Sequence, residues 1–314
     1  MHLRIRRRRF GQLAIASAAS TAIANLAGKA VAQSPPTIYA VSVSNPNPQV
    51  SSFVTAAKST PALTVKTADV TPSQNIISSV TVATTTVSNA NTPPEVVPKA
   101  SSLEPQERLT GLTTLSNGTV VNTSVLNSPN GDVTRLIFID PKSSRVQNSL
   151  IVSGLPNNNS TVESLAAIKN DTLLSVISLN AGVPPFTLGT IDRTTGKVTS
   201  GSAAGLPSLN SSRRYSNLAQ APNGTIYATT LGREGATTLV TVDLANQSIN
   251  TVVKLSYNNK PLSNDLLSIT ISPTGQIYAL ANPTYAATNS LFTVDQKTGV
   301  LTLMKPFDAE QITF

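Results

Sequence analysis

The sequence predicts an all-β fold built from one repeated four-stranded unit. Three observations predict it. A turn-and-strand motif recurs four times at spacings of 51–53 residues. A strand ending on Asp recurs at spacings of 51–52 residues. The two ends of the chain read as the halves of a further copy. Two separate landmarks that hold one period mark a repeat architecture.

Each copy opens on a short apolar strand: ERLTGL, VESLAAI, YSNLAQA and DLLSITI. The turn and second strand follow as SNGTVVNTS (116–124), KNDTLLSVI (169–177), PNGTIYATT (222–230) and PTGQIYALA (273–281). Asn-Gly at 117–118 and 223–224 suits a tight hairpin with positive φ. The third strands end at Asp140, Asp192, Asp243 and Asp295. Turns such as Asp192 to Gly196 and Asp295 to Gly299 come next. The fourth strands read RVQNSLIV, KVTSGSA, SINTVVKL and VLTLMKP. β-Branched residues and alternation carry these assignments. The mature chain shows no long amphipathic helix.

The remaining copy is split. Pro35 to Ala40 matches Pro273 to Ala279 but has no first strand before it. Glu310 to Phe314 has the pattern of a first strand with nothing after it. SSFVTAAKSTPALTV (51–65) aligns with NSLFTVDQKTGVLTL (289–303), setting Phe53 against Phe292 and Lys58 against Lys297. Residues 68–107 are then an insertion whose first part, 74–88, reads as a hairpin or an extra edge strand and whose remainder reads as a Pro-rich loop. A four-stranded unit near 50 residues is a propeller blade. The expectation is a five-bladed β-propeller over 33–314, closed by pairing of the C-terminal strand with the N-terminal blade. Six blades with one degenerate is the alternative. Closure removes the open sheet edges of an unclosed array.

Residues 1–32 read as an export signal. Arg4 and Arg6 to Arg9 precede an Ala-rich stretch, and Ala30-Val31-Ala32 offers a small-x-small cleavage site. Arg7, Arg8 and Phe10 resemble the core of the twin-arginine signal, with Gly11-Gln12 where that signal carries Leu-Lys. The apolar run is too short and broken for a stable span, which needs about 20 apolar residues. The expected location is periplasmic or extracellular, with the export machinery as partner.

The leader also reinterprets the charge. Its five arginines and Lys29 supply six of the chain's net +8, leaving +2 after residue 32. Nucleic acid is therefore not an expected partner. The chain has no cysteine, and its one histidine is His2. Disulfides, thiolate metal sites and thiol or histidine catalysis are thereby excluded from the mature part. No GxxxxGK phosphate loop is present. No cofactor and no metal are expected.

The unit of apolar strand, Pro/Ser-x-Gly turn, Ile-Tyr-Ala strand and Val-Asp-x-x-Thr-Gly turn resembles the NHL and YVTN-like propeller repeats. The resemblance covers most of 35–314 and implies architecture, since its motif residues are turn formers and core. Lactonase-type propellers similar to this one hold a divalent metal with acids and amides at inner strand ends. Here the positions past the second strand are Asn45, Asn127, Asn180, Arg233 and Thr284, with no acid among them.

Asn45, Asn127, Asn180 and Arg233 are candidate binding residues, because amides both donate to and accept from hydroxyl-rich ligands. The repeated Asp140, Asp192, Asp243 and Asp295 read as turn caps. Gly111, Ser164, Asn217 and Ser268 share one inner-strand position where space is short. Tyr39, Tyr227 and Tyr278 read as packing between blades, and Arg213-Arg214-Tyr215 as a solvated turn. The favoured function is a non-catalytic platform for a protein partner or polar ligand. The alternative is a carboxylate-dependent, glycosidase-like hydrolase or lyase, with Glu163 and Asp265 as catalytic candidates. A surface component that associates with itself is a third reading.

Overall fold

Alternating β-branched residues and Asn, Asp and Gly turns cut the chain into short antiparallel strands. The structure is a computed structural model. It describes residues 37–44, 62–69, 77–81, 107–126, 131–143, 145–232, 235–286 and 288–314. Arg7, Arg8, Phe10, Ala30 and Ala32 lie outside the described residues. No helix among those described is long and apolar enough to cross a membrane.

The first sheet takes β1 (Thr37–Ser44), β2 (Ala62–Asp69) and β3 (Ile77–Thr81). The second is β4 (Glu107–Thr114), β5 (Val120–Leu126), β6 (Val133–Asp140) and β7 (Arg145–Ile151). The third is β8 (Thr161–Ile168), β9 (Thr172–Asn180), β10 (Val183–Ile191) and β11 (Val198–Ser200). The fourth is β12 (Arg214–Gln220), β13 (Ile226–Leu231), β14 (Thr238–Asp243) and β15 (Ser248–Lys254). A small hairpin, β16 (Ser256–Tyr257) and β17 (Lys260–Pro261), precedes the fifth sheet. That sheet is β18 (Ser268–Ile271), β19 (Ile277–Ala281), β20 (Ser290–Val294) and β21 (Leu301–Pro306). The last strand, β22 (Gln311–Thr313), returns to the first sheet, whose order is β22-β1-β2-β3. Tyr39 faces Thr313, Ala40 faces Ile312 and Val41 faces Gln311.

One assignment from the sequence is corrected in the first sheet. The strand beside β1 is 62–69 rather than the stretch around Phe53 that the alignment sets against Phe292, and the strand beyond it is 77–81. Residues 77–81, within the segment read as a hairpin or an extra edge strand, form the outer strand of this sheet. Phe53 and Lys58 lie outside the described residues. The match over 51–65 rested on two side chains in a region rich in Thr, Val and Ala, where many alignments look alike. Pairing across the long 45–61 connection adds little closure entropy, because that cost grows only with the logarithm of loop length.

Five apolar clusters hold the sheets face to face. Val41 meets Leu109, Val120 and Ile139 between the first and second sheets. Val121 and Leu136 meet Val162 and Leu173 between the second and third. Val176 and Phe186 meet Tyr215 and Ile226 between the third and fourth. Leu239 and Leu255 meet Ile277 and Phe292 between the fourth and fifth. Leu280 and Leu291 meet Ile38 and Ile312 between the fifth and the first. Burying each large aliphatic or aromatic side chain contributes about 1.5–3 kcal/mol. This all-β arrangement, with each sheet packed on its neighbour, is a propeller fold. The tyrosines act as expected: Tyr278 is buried, while Tyr39 and Tyr227 pack against inter-sheet clusters.

The first strands line the axis. β4 lies beside β8, β8 beside β12, β12 beside β18, β18 beside β22, and β22 beside β4. The small residues at the shared inner position join these neighbours. Ser164 Oγ accepts the Leu218 N–H at 2.7 Å, and Ser268 Oγ accepts the Ile312 N–H at 3.1 Å. Asn217 Nδ2 donates to the Leu266 carbonyl at 2.9 Å. At Gly111 a Cβ would stand 2.7 Å from the Leu165 nitrogen, so a side chain there would collide with the neighbouring strand. The position is therefore both steric and hydrogen-bonding.

Candidate functional site

At one end of the inner strands, bulges in the ladder turn side chains toward neighbouring sheets. The register shifts between Leu109 and Gly111, between Val162 and Ser164, and between Ser216 and Ala219. A bulge re-aims the residues beside it. Here those residues include Arg108, Glu163 and Arg214, and Asp265 arrives from the segment just before β18. The structure thus brings both carboxylates singled out in the sequence to the strand starts, each beside an arginine from the preceding sheet.

Glu163 is gripped from two directions. Arg108 Nη1 donates to Oε2 at 2.9 Å and Nη2 to Oε1 at 2.6 Å, and Thr161 Oγ1 donates to Oε1 at 2.5 Å. The fork is the bidentate geometry that favours Arg over Lys. Burial alone would raise the Glu163 pKa. The Arg108 hydrogen bonds and charge, the Thr161 hydroxyl and the nearby Arg214 charge together carry it below the ordinary value. Gly182, at φ +87, lets the β9–β10 turn close over this pair, since a Cβ would come within 3.1 Å of Arg108 Nη2 and 3.4 Å of Glu163 Oε1.

Asp265 lies one sheet further round. Arg214 Nε sits 3.1 Å from Oδ2, and Arg214 Nη1 donates to the Gly182 carbonyl at 3.3 Å. Ser216 Oγ donates to Oδ2 at 2.8 Å and the Leu266 N–H to Oδ1 at 3.0 Å. Burial pushes the Asp265 carboxyl up, and those partners offset it only in part. Arg214 therefore stands in a strand with its guanidinium paired, and Tyr215 is buried. The expectation of a solvated turn at 213–215 is corrected, because the partners sit on other sheets and leave no local trace.

A third pair is internal to the second sheet. Glu107 takes Arg135 through both carboxylate oxygens and accepts the Ser124 hydroxyl at 2.5 Å. The repeated aspartates are quite different. Asp192 Oδ1 accepts the N–H groups of Thr194 and Thr195 at 2.8 and 3.0 Å, and Asp295 Oδ1 those of Lys297 and Thr298 at the same distances. Asp140 and Asp243 cap their turns likewise.

Of the candidate binding residues, Asn180 alone lies among the described residues. Asn180 ends β9 exposed, its N–H donating to Ser178 Oγ at 3.1 Å. Asn45, Asn127 and Arg233 lie outside the described residues. Arg108 and Arg214 were missed as site residues. One signal was present: Arg108 precedes Glu163 by 55 residues and Arg214 precedes Asp265 by 51, which is one repeat period.

Two cavities leave both carboxylates outside their lining. A small one of about 90 Å³ lies at the opposite ends of the inner strands, lined by Thr114, Ala167, Gln220, Thr270 and Thr313 among others. A wide cleft of about 820 Å³ runs between Leu231, Ala236, Lys254 and Pro261, and neither Glu163 nor Asp265 lines it.

No family model matches the chain, and no curated protein matches it. Solved structures do. TolB from Acinetobacter baumannii is 15% identical over 88% of this chain and 54% of its own, at a TM-score of 0.45. The periplasmic gluconolactonase PpgL of Pseudomonas aeruginosa is 10% identical over 89% of this chain and 84% of its own, at 0.43. The PQQ-bound aldose sugar dehydrogenase of Streptomyces coelicolor is 11% identical over 90% of each chain, at 0.42. This chain spans about half the length of TolB. All three are β-propeller proteins, and the likeness is one of fold.

Proposed function

We propose that the chain is an exported five-bladed β-propeller that acts as a non-catalytic platform for a protein partner or polar ligand. The five four-stranded sheets and the β22–β1 pairing support the blade count. The leader over 1–32 supports export, and the arginines at 7 and 8 support the twin-arginine route. The observation that carries the platform reading is the Glu163 carboxylate. Both its oxygens are taken by Arg108, one also by Thr161, and its pKa is lowered. A carboxylate so held is a poor proton donor.

One observation favours the hydrolase reading. The two carboxyls are driven apart, Glu163 down and Asp265 up, which is the division that acid–base pairs use. Against it, Asp265 spends its oxygens on Ser216, Leu266 and Arg214. The test compares the chain with Glu163→Gln and Asp265→Asn on a panel of chromogenic glycosides and esters. No turnover that depends on either carboxylate is expected. Turnover by the native chain that is abolished in both variants would overturn the platform reading.

A further inference from the structure

The arginine–carboxylate pairs at the inner strand starts are layered. Glu163 and Asp265 have side chains 2% and 19% exposed, whereas Arg108 and Arg214 are 38% and 42% exposed. The acids lie beneath and the guanidiniums face outward. Arg214 Nη1 donates to the Gly182 carbonyl, and Nε stands at ion-pair distance from Asp265 Oδ2 without a hydrogen-bond partner among the described residues. The buried acids hold the guanidiniums in place, so little side-chain freedom is lost when an anion meets them.

Apolar side chains stand around these charges. Val183 follows Gly182 in the turn over Arg108 and is 47% exposed, and Leu267 follows Leu266 and is 39% exposed. Tyr285 is 79% exposed at φ +54. That backbone region is costly for a bulky residue and needs outside support. Asn282 supplies it: its Nδ2 donates to the Ala286 carbonyl at 2.8 Å, and its Oδ1 accepts the Ala286 N–H at 2.7 Å. The loop is tied to the site because Asn264, next to Asp265, donates to the Asn282 carbonyl at 3.2 Å. An aromatic side chain is thus held in solvent, in a strained conformation, on a loop that the Asn264–Asn282 contact ties to the segment carrying Asp265, the partner of Arg214. Tyr and Arg are the residue types that dominate binding hot spots.

We propose that this face, resting on the platform reading above, docks an acidic peptide segment of a protein partner. Carboxylates of the segment meet Arg108 and Arg214, and its apolar groups meet Tyr285, Val183 and Leu267. Positive outer groups over buried acids favour an anionic occupant over a cationic one. The spread of apolar side chains favours a polypeptide over a small free anion.

The experiment measures fluorescence anisotropy of labelled poly-L-glutamate with the full chain. Labelled poly-L-lysine and a labelled neutral maltooligosaccharide serve as comparisons. Saturable binding of poly-L-glutamate is expected, weakening as salt rises. Tyr285→Ala should weaken it about 10-fold, and Arg214→Gln by a similar factor. Tyr285 supports no core cluster, so its variant keeps the test valid if Arg214→Gln fails to fold. No binding of poly-L-glutamate, or binding indifferent to Tyr285→Ala, would overturn the proposal. Preference for poly-L-lysine or the maltooligosaccharide would overturn it as well. If poly-L-glutamate fails and no carboxylate-dependent turnover exists, only this inference falls. If such turnover exists, the platform reading falls too.

Discussion

The acids of this protein fall into two regions that behave in opposite ways. Asp140, Asp192, Asp243 and Asp295 recur with the repeat, stand in solvent and cap their turns through backbone N–H groups. All four are held below the ordinary aspartate range, Asp140 first by the Ser143 hydroxyl and the other three first by those backbone hydrogen bonds. Glu163 and Asp265 occur once each, lie buried at the strand starts, and are answered by arginines from adjacent sheets. Repetition thus marks groups that build the blade, and departure from the repeat marks groups that distinguish one face of it.

Opening the ring should have the largest effect, because both regions depend on the sheets staying in place. Deleting 308–314 removes β22, whose Ile312 is fully buried between the fifth and first sheets. Loss of that one side chain costs about 2–5 kcal/mol, against a total stability of about 5–15 kcal/mol. Thermal unfolding should show loss of the cooperative transition or a large fall in Tm. An unchanged Tm would show that the pairing of the termini is dispensable.

Arg108→Ala comes next. It leaves Glu163 buried with Thr161 as its remaining close donor. Breaking a buried pair costs about 3–5 kcal/mol, and the 38% exposure of Arg108 lets water recover part of it, so about 1–3 kcal/mol is expected. Urea unfolding measures it. A cost no larger than that of an exposed turn variant would erase the contrast between the regions.

The pH dependence sharpens the contrast further. Glu163 is lowered in the folded state, so its contribution is present above the unfolded value of 4.5 and is lost as pH falls through the folded value. Asp265 is raised, so the folded state holds more protons between 3.8 and its folded value, and stability falls as pH rises through that window. Asp265→Asn should remove that downward slope, and Glu163→Gln should remove the loss on the acid side. Tm measured across pH for both variants checks the two signs. The same slope in both variants would show that the two carboxyls are not distinguished by their surroundings.

The smallest effect belongs to the turns. Asp192→Asn keeps an acceptor for Thr194 and Thr195 and should leave Tm at neutral pH indistinguishable from that of the native chain. A clear fall would assign the repeated acids more than a turn-capping role.

What could be read without a structure follows from the range of each interaction. The Asp turns need only three or four consecutive residues, so Asp192 to Gly196 declares itself locally. The return of Ile312 to Ala40 was legible because each end lacked what the other carried. The partners of β1 were not, because 45–81 holds several Val/Thr stretches that fit a strand equally well. The Arg214–Asp265 pair was hidden for another reason. Contacts between adjacent sheets join residues about one period apart, as in Arg108–Glu163, Thr113–Ala167 and Ser164–Leu218. Opposite charges one period apart at first-strand starts are the pattern that would have found both pairs.

The three-residue seam that pairs 39–41 with 311–313 sets the order in which this sheet can be completed. While the polypeptide is being made, β1 has no partner on its inner side until nearly every other residue has followed it. Contacts this distant in sequence form slowly, and the waiting strand is exposed to wrong partners meanwhile. A chaperone that shields residues 37–44 during synthesis would meet the one need this topology creates before the last turn of the chain arrives.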